Sequence, residues 1–286
     1  MSVDRTTAAG AGHANRPDGL LLSVEGLCRQ FGGVVAVDGV TFGVAPGEIV
    51  AVIGPNGAGK TTLFNVITGF LTPTGGEVRY RGARITGQSP PRIAGRGIIR
   101  TFQSLVVFSE MTAVENVMIG CHRWTRTGLF EAALALPAAA REDRRVAEAA
   151  LGALALVGLR DRADDRAQDL PVGQQRLLEI ARALAARPEL LLLDEPTAGL
   201  SAGEARALLA LIRRLRADGL TFVIIEHNMD IVMEAADRVV VLDYGEKIAE
   251  GTPQEIQRDP RVIAAYLGEE PDDAAAAAPL GRAPAP

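Results

Sequence analysis

Apolar residues recur along this chain with two different periods. Short runs rich in Val, Ile and Leu, at residues 48–53, 190–193, 221–225 and 238–242, read as strands buried on both faces. Between them the spacing lengthens. Leu208, Leu211, Ile212 and Leu215 fall at i, i+3, i+4 and i+7, which predicts a helix after Ser201 that Gly219 is suited to end. Leu177, Ile180, Ala181 and Leu184 predict another, beginning at Gln174 and stopped by Pro188. Thr112 and Glu115 have the spacing of a capping box, so a helix is expected to start after Thr112. Continuously apolar strands alternating with helices predict a mainly parallel sheet covered by helices, an α/β fold.

Two regions break this pattern. Residues 20–48 and 76–85 hold short strand-like runs separated by glycines, which predicts an antiparallel β layer beside the main sheet. Residues 104–167 read as mostly helical, with mixed charge from Arg141 to Arg166, and form a candidate helical insertion. The first 19 residues lack periodicity and read as a mobile leader; residues 269–286 are acidic, then Ala/Pro-rich, and read as a tail. The folded part is therefore expected over about 20–268, with no internal repeat.

Composition narrows the function. At 286 residues one to two domains are expected, and 48% apolar residues exclude a wholly disordered chain. A net charge of −5 with 4% aromatics argues against a general nucleic-acid binder, which shows a basic face and stacking rings. No run approaches the length of a membrane span, and the N-terminus lacks the pattern of a signal peptide. Cys28 and Cys121 have no CxxC partner and read as reduced thiols of a cytosolic protein. Only two of the 30 basic residues are lysines, Lys60 and Lys247, so each invites inspection.

Lys60 stands in the sharpest motif. Gly54, Pro55, Asn56, Gly57, Ala58, Gly59, Lys60 and Thr61 fit G-x-x-x-x-G-K-[ST] between an apolar strand and a helix. In that setting backbone N–H groups wrap a phosphate chain at a helix N-terminus. Lys60 reaches the β- and γ-phosphates, and the Thr61 hydroxyl ligates Mg²⁺. The strand at 190–193 runs into Asp194 and Glu195, which places two carboxylates at the ligand-binding edge of such a sheet. Asp194 is the candidate Mg²⁺ ligand and Glu195 the candidate polariser of the attacking water.

These motifs occur in order with Arg100-Thr101-Phe102-Gln103, Leu170-Pro171-Val172-Gly173-Gln174-Gln175 and Ile225-Glu226-His227. Together they resemble an ABC-type ATPase subunit over about residues 20–268, a P-loop core with an antiparallel β subdomain and a helical subdomain. The resemblance implies ATP and Mg²⁺ as ligands, with Thr62 joining the phosphate loop. It implies that Phe31 stacks on adenine. Gln103 senses Mg²⁺ and the attacking water and couples to a membrane partner. Val172, Gly173 and Gln174 bind the γ-phosphate held by the other subunit of a head-to-tail dimer, and His227 contacts the γ-phosphate as a switch. Two positions depart from the family pattern: Pro171 stands where Ser is usual, and Ser201 where Asp is usual.

A narrower resemblance rests on Glu110-Met111-Thr112, Glu115-Asn116-Val117, Asn228-Met229, Val232-Met233, Gly251-Thr252-Pro253 and Ala265-Tyr266-Leu267-Gly268. These look like the ATPase subunits of branched-chain amino acid importers. The segment from about Trp124 to Arg145, with Gly128-Leu129-Phe130, is similar to the longer of the two ATPases such importers carry. That implies permease subunits, a second ATPase (a paralogue or the same chain), an indirect link to a solute receptor, and a peripheral place on the cytoplasmic face of the membrane. Urea or amide importers and a lipopolysaccharide exporter are similar as well. A soluble ABC ATPase acting on nucleic acid or ribosomes would carry basic or coiled-coil segments that this sequence lacks.

Overall fold

The computed structural model describes residues 19–125 and 137–267. The rest of the expected leader, the tail, and Gly128, Leu129 and Phe130 lie outside the described residues.

The central strands are β3 (Ile49–Ile53), β6 (Ile98–Arg100), β7 (Leu190–Asp194), β8 (Thr221–Ile225), β9 (Arg238–Asp243) and β10 (Glu246–Gly251). They form one six-stranded sheet in the order β10-β9-β3-β8-β7-β6. Every neighbouring pair is parallel except β9 with β10. All residues of β3, β7 and β8 are buried, which explains their unbroken apolar runs. The remaining strands, β1 (Leu22–Phe31), β2 (Val34–Val44), β4 (Gly75–Tyr80) and β5 (Ala83–Arg84), form a separate antiparallel sheet in the order β2-β1-β4-β5.

The helices are α1 (Lys60–Ile67), α2 (Pro90–Arg96), α3 (Ala113–Gly120), α4 (Pro137–Leu156), α5 (Val172–Ala185), α6 (Ala202–Ala217), α7 (Met229–Ala235), α8 (Pro253–Ile256) and α9 (Pro260–Leu267). Strand alternation divides the core. Val50, Val52, Leu190, Leu192, Val223 and Ile225 face α1 and the antiparallel sheet. Ile49, Leu191, Leu193, Phe222 and Ile224 face α3 to α6. Ala51, Ile53, Val239 and Val241 pack under α7 to α9. The sheet is thus covered on both faces, and its C-terminal edge is left for the loops after β3, β6, β7 and β8.

Two local expectations shift. Helix α5 starts at Val172, two residues before Gln174, because Pro171 takes the N-cap with φ −53 and ψ 151 and its carbonyl accepts the Gln175 N–H at 2.9 Å. Its buried face includes Arg176 and Glu179, whereas Leu177 and Leu184 are half-buried. The stretch expected to be helical from 104 has no regular structure until α3, which Thr112 caps as its spacing predicts: the Thr112 hydroxyl accepts the Glu115 N–H and the Glu115 carboxylate accepts the Thr112 N–H.

Candidate functional site

The phosphate-loop motif is a turn from β3 into α1. Its shape demands glycine at two points. Gly54 has φ 148 and a Cβ there would overlap the Leu242 carbonyl oxygen; Gly59 has φ 96 and would meet that of Ala36. The loop therefore lies wedged between β2 and the β9–β10 turn, whose Gly245 N–H donates to the Ala58 carbonyl at 3.1 Å. Lys60 is buried, and its ammonium donates to the carbonyls of Gly54 at 2.6 Å and Pro55 at 2.7 Å. Thr61 is exposed and Thr62 half-buried in the first turn of α1, where backbone N–H groups have no intrahelical acceptor. Asn56 and Gly57 are exposed at the crest of the turn, with Pro55 and Ala58 buried beneath them.

Asp194 ends β7 and is buried. Its Oδ2 accepts from Arg100 Nη2 at 2.7 Å, and its Oδ1 is buried with no partner. Burial pushes its carboxyl above the ordinary range; the neighbouring Glu195 adds to this, while Arg100 and Lys60 oppose it. The sequence motifs quoted Arg100 but gave it no task. In the fold it is nearly buried, donates to Asn65 Oδ1 at 2.6 Å, and lies 5.4 and 5.2 Å from the ring centres of Phe64 and Phe102. A charge closing the apolar run Ile98-Ile99 was the only signal for it.

Glu195 follows with φ 47, a left-handed conformation that costs a non-glycine residue about 1–3 kcal/mol. Two expected site residues converge on its Oε2. Gln103 donates from Nε2 at 3.1 Å, and His227 Nδ1 stands 4.0 Å away. The second distance is too long for a hydrogen bond, and the imidazole is largely exposed. Glu226 links the ends of β7 and β8: its buried carboxylate accepts from the Thr197 hydroxyl at 2.5 Å and the Thr197 N–H at 3.2 Å. Sequence reasoning passed over it as part of the His227 motif.

Phe31 ends β1 and is 42% exposed, and the Arg29 guanidinium carbon lies 4.4 Å from its ring centre. Val172, Gly173 and Gln174 form the first turn of α5. Their neighbour is α6, since a Cβ on Gly173 would overlap the Glu204 carboxylate. That carboxylate also accepts from the Ser201 N–H and hydroxyl at 2.8 and 2.7 Å, so Ser201 caps α6 where the family pattern has Asp.

The fold and the strand-end motifs define the class: a P-loop ATPase with an added antiparallel sheet and helical layer. The family model described as "ABC transporter" matches residues 37–198, and that described as "Branched-chain amino acid ATP-binding cassette transporter" matches residues 246–272. The high-affinity branched-chain amino acid transport ATP-binding protein BraF of Pseudomonas aeruginosa is 46% identical over 87% of this chain and 98% of its own length. The corresponding protein LivG of Escherichia coli K12 is 45% identical with the same coverage. Among solved structures, the ADP conformation of an ATP-binding cassette of an ABC transporter superposes with TM-score 0.76 at 37% identity, covering 87% of this chain and 99% of that one. A dimeric bacterial ABC transporter cassette superposes with TM-score 0.70 at 26% identity, covering 81% and 98%. The chain belongs to the ABC transporter ATP-binding family, within its branched-chain amino acid group, and is an ATP-binding ATPase. No helix among the described residues is long and apolar enough to cross a membrane. Membership of the ABC transporter ATP-binding family implies membrane permease partners.

Proposed function

We propose that this ATPase powers uptake of branched-chain or other hydrophobic amino acids. It would sit at the cytoplasmic face of the membrane on permease subunits, pair head to tail with a second ATPase, a paralogue or another copy, and act downstream of a solute-binding receptor. The observation that carries the solute class is the identity to branched-chain amino acid transport ATP-binding proteins over nearly their whole length. The observation that carries the chemistry is the meeting of Gln103 and His227 at Glu195.

The roles follow from the geometry. Phosphates enter the concave turn Gly54 to Thr62, and Lys60 exchanges its two carbonyl acceptors for phosphate oxygens. Adenine stacks on the Phe31 face opposite Arg29. Glu195 accepts hydrogen from the attacking water, Gln103 orients that water through the bond it already makes, and His227 closes on the γ-phosphate. Val172, Gly173 and Gln174 present the free N–H groups of the first turn of α5 to the γ-phosphate held by the paired subunit; Pro171 supplies no N–H there.

A divalent cation fits this edge. The unpartnered Asp194 Oδ1 is a buried acceptor without a donor, and with the Thr61 hydroxyl and the Gln103 amide oxygen it makes the all-oxygen set that Mg²⁺ takes. Bound Mg²⁺ would neutralise charge on the β- and γ-phosphate oxygens.

The test is reconstitution. The tagged chain is recovered from native membranes in mild detergent, and the co-purifying proteins are sequenced and placed in vesicles. Permeases, a second ATPase and a receptor are expected, with leucine-stimulated ATP hydrolysis that Lys60→Ala abolishes. Stimulation by urea or short amides but not leucine overturns the solute class, and recovery of ribosomal proteins alone overturns the transport role.

A further inference from the structure

The loop after β6 carries Gln103 but is not held by its own secondary structure. Residues 101–111 form neither helix nor strand. Their backbone groups still need partners. Asn116 of α3 holds the far end, pairing with the N–H and carbonyl of Phe108 at 2.9 and 3.0 Å, and α5 serves the part around Gln103 from the side. Arg176 Nη1 donates to the Phe102 carbonyl and Nη2 to the Gln103 carbonyl, both at 3.1 Å. Glu179 Oε1 accepts the Phe102 N–H at 3.3 Å, and its Oε2 accepts from Arg176 Nη1 at 3.1 Å. Further along, Arg182 donates to the Val106 carbonyl at 2.5 Å and lies 5.7 Å from the Phe108 ring centre. The Arg176 and Glu179 side chains are 8% and 2% exposed, so this fork works out of water.

Burying an ion pair is a poor route to stability, because desolvation offsets the attraction and apolar residues of similar size do as well or better. Here each partner spends its hydrogen bonds on the loop backbone on either side of Gln103. The same helix begins, four residues before Arg176, with the turn that contains Gly173.

We propose that the Arg176–Glu179 pair is a positioning device for Gln103: it rigidly joins the backbone of residues 102–103 to α5, so that the placement of the first turn of α5 sets the approach of Gln103 to Glu195. The inference rests on the role given to Gln103 under Proposed function. When a second subunit engages the start of α5, the pair carries that displacement to the water-orienting amide. Arg176 and Glu179 act through the loop backbone.

The test uses the full chain with Mg·ATP. Arg176→Lys keeps the charge and loses the two-pronged reach. Arg176→Met with Glu179→Leu removes the fork while preserving packing, so the fold is retained. Both variants are expected to lower kcat about tenfold or more with ATP affinity little changed, as small misplacements of reacting groups do. Both are expected to speed hydrogen exchange at the Phe102 amide. In a Gln103→Ala background neither should lower kcat further, since the pair acts through Gln103. Wild-type kcat in both variants, unchanged Phe102 exchange, or the same fold-loss with and without Gln103 overturns the inference. Wild-type turnover in Gln103→Ala alone is a separate outcome: it removes the role of Gln103 itself and, with it, the positioning role.

Discussion

The phosphate loop and the loop after β6 reach the same sheet edge but are held in opposite ways. The first is a continuous strand, turn and helix, shaped by glycines at positive φ, and its lysine bonds back to carbonyls five and six residues away. The second has no regular structure. Its backbone around Gln103 is fixed by Arg176 and Glu179, more than 70 residues distant in sequence, its far end by Asn116, and its base by Arg100, paired with Asp194 across two parallel strands. Local geometry builds the grip on phosphate. Long-range side chains hold the part that, on the proposed reading, positions water and meets partner proteins. The first keeps its shape by contacts near in sequence, whereas the place of the second depends on α5, a difference that suits the proposed motor, which must hold nucleotide while responding to another protein.

Breaking the junction of the two regions has the largest expected effect. Glu195→Gln should keep ATP binding and lose about 10²–10⁴-fold in turnover, the range for removing a general base. Retained binding with vigorous hydrolysis would assign the base elsewhere. Second is the anchor at the base of the loop after β6. Arg100→Met leaves the Asp194 carboxylate buried and unpaired, so urea unfolding should show a loss of about 3–5 kcal/mol. Adding Asp194→Asn should recover much of it; no recovery would mean that the guanidinium matters for packing on Phe64 and Phe102 rather than for charge.

Phe31→Ala sharpens the other side. ATP affinity should fall by about 1–3 kcal/mol, the worth of one stacked base, with folding stability little changed because the ring is partly exposed. Unaltered affinity, measured by titration calorimetry, would remove the stacking role. The smallest effect lies outside both loops. Thr112→Ala removes the cap of α3 and should lower stability by about 1 kcal/mol. Hydrogen bonds from the Thr112 N–H and hydroxyl hold the Glu115 carboxyl below its ordinary range. That contribution is full above the ordinary carboxylate range and is lost as pH falls through the lowered value. The difference between Thr112→Ala and the parent should therefore narrow in acid. The Thr112 N–H keeps its bond to Glu115 in the variant, so a constant difference would deny only the hydroxyl its share in lowering the Glu115 carboxyl.

These contrasts follow what was readable in the sequence. The phosphate loop, the Asp194–Glu195 strand end and the Thr112 cap were legible because each is a short-range rule, in which spacing alone puts the groups where they act. The structure starts α5 two residues before the Gln174 that the apolar spacing indicates, since Pro171 can cap a helix as readily as precede one. Of the expected apolar face, Ile180 and Ala181 are buried while Leu177 and Leu184 lie half-buried at its margin, because the helix also turns Arg176 and Glu179 inward on a loop that no periodicity announces. Gln103 and His227 were named by resemblance, but their meeting at one oxygen of Glu195 depends on the strand order β8-β7-β6.

By itself the sequence determined the alternation of buried strands and helices, the phosphate-binding turn and the chemical inventory of the site, because these depend on residues a few positions apart. Only the tertiary structure decided that Arg100 pairs with Asp194, that Arg176 and Glu179 grip residues 102–103, and that three strand ends bring Gln103, Glu195 and His227 together. Those contacts join segments about 30 to more than 90 residues apart, and their pairing follows from how the sheet is ordered and covered, which no local period encodes.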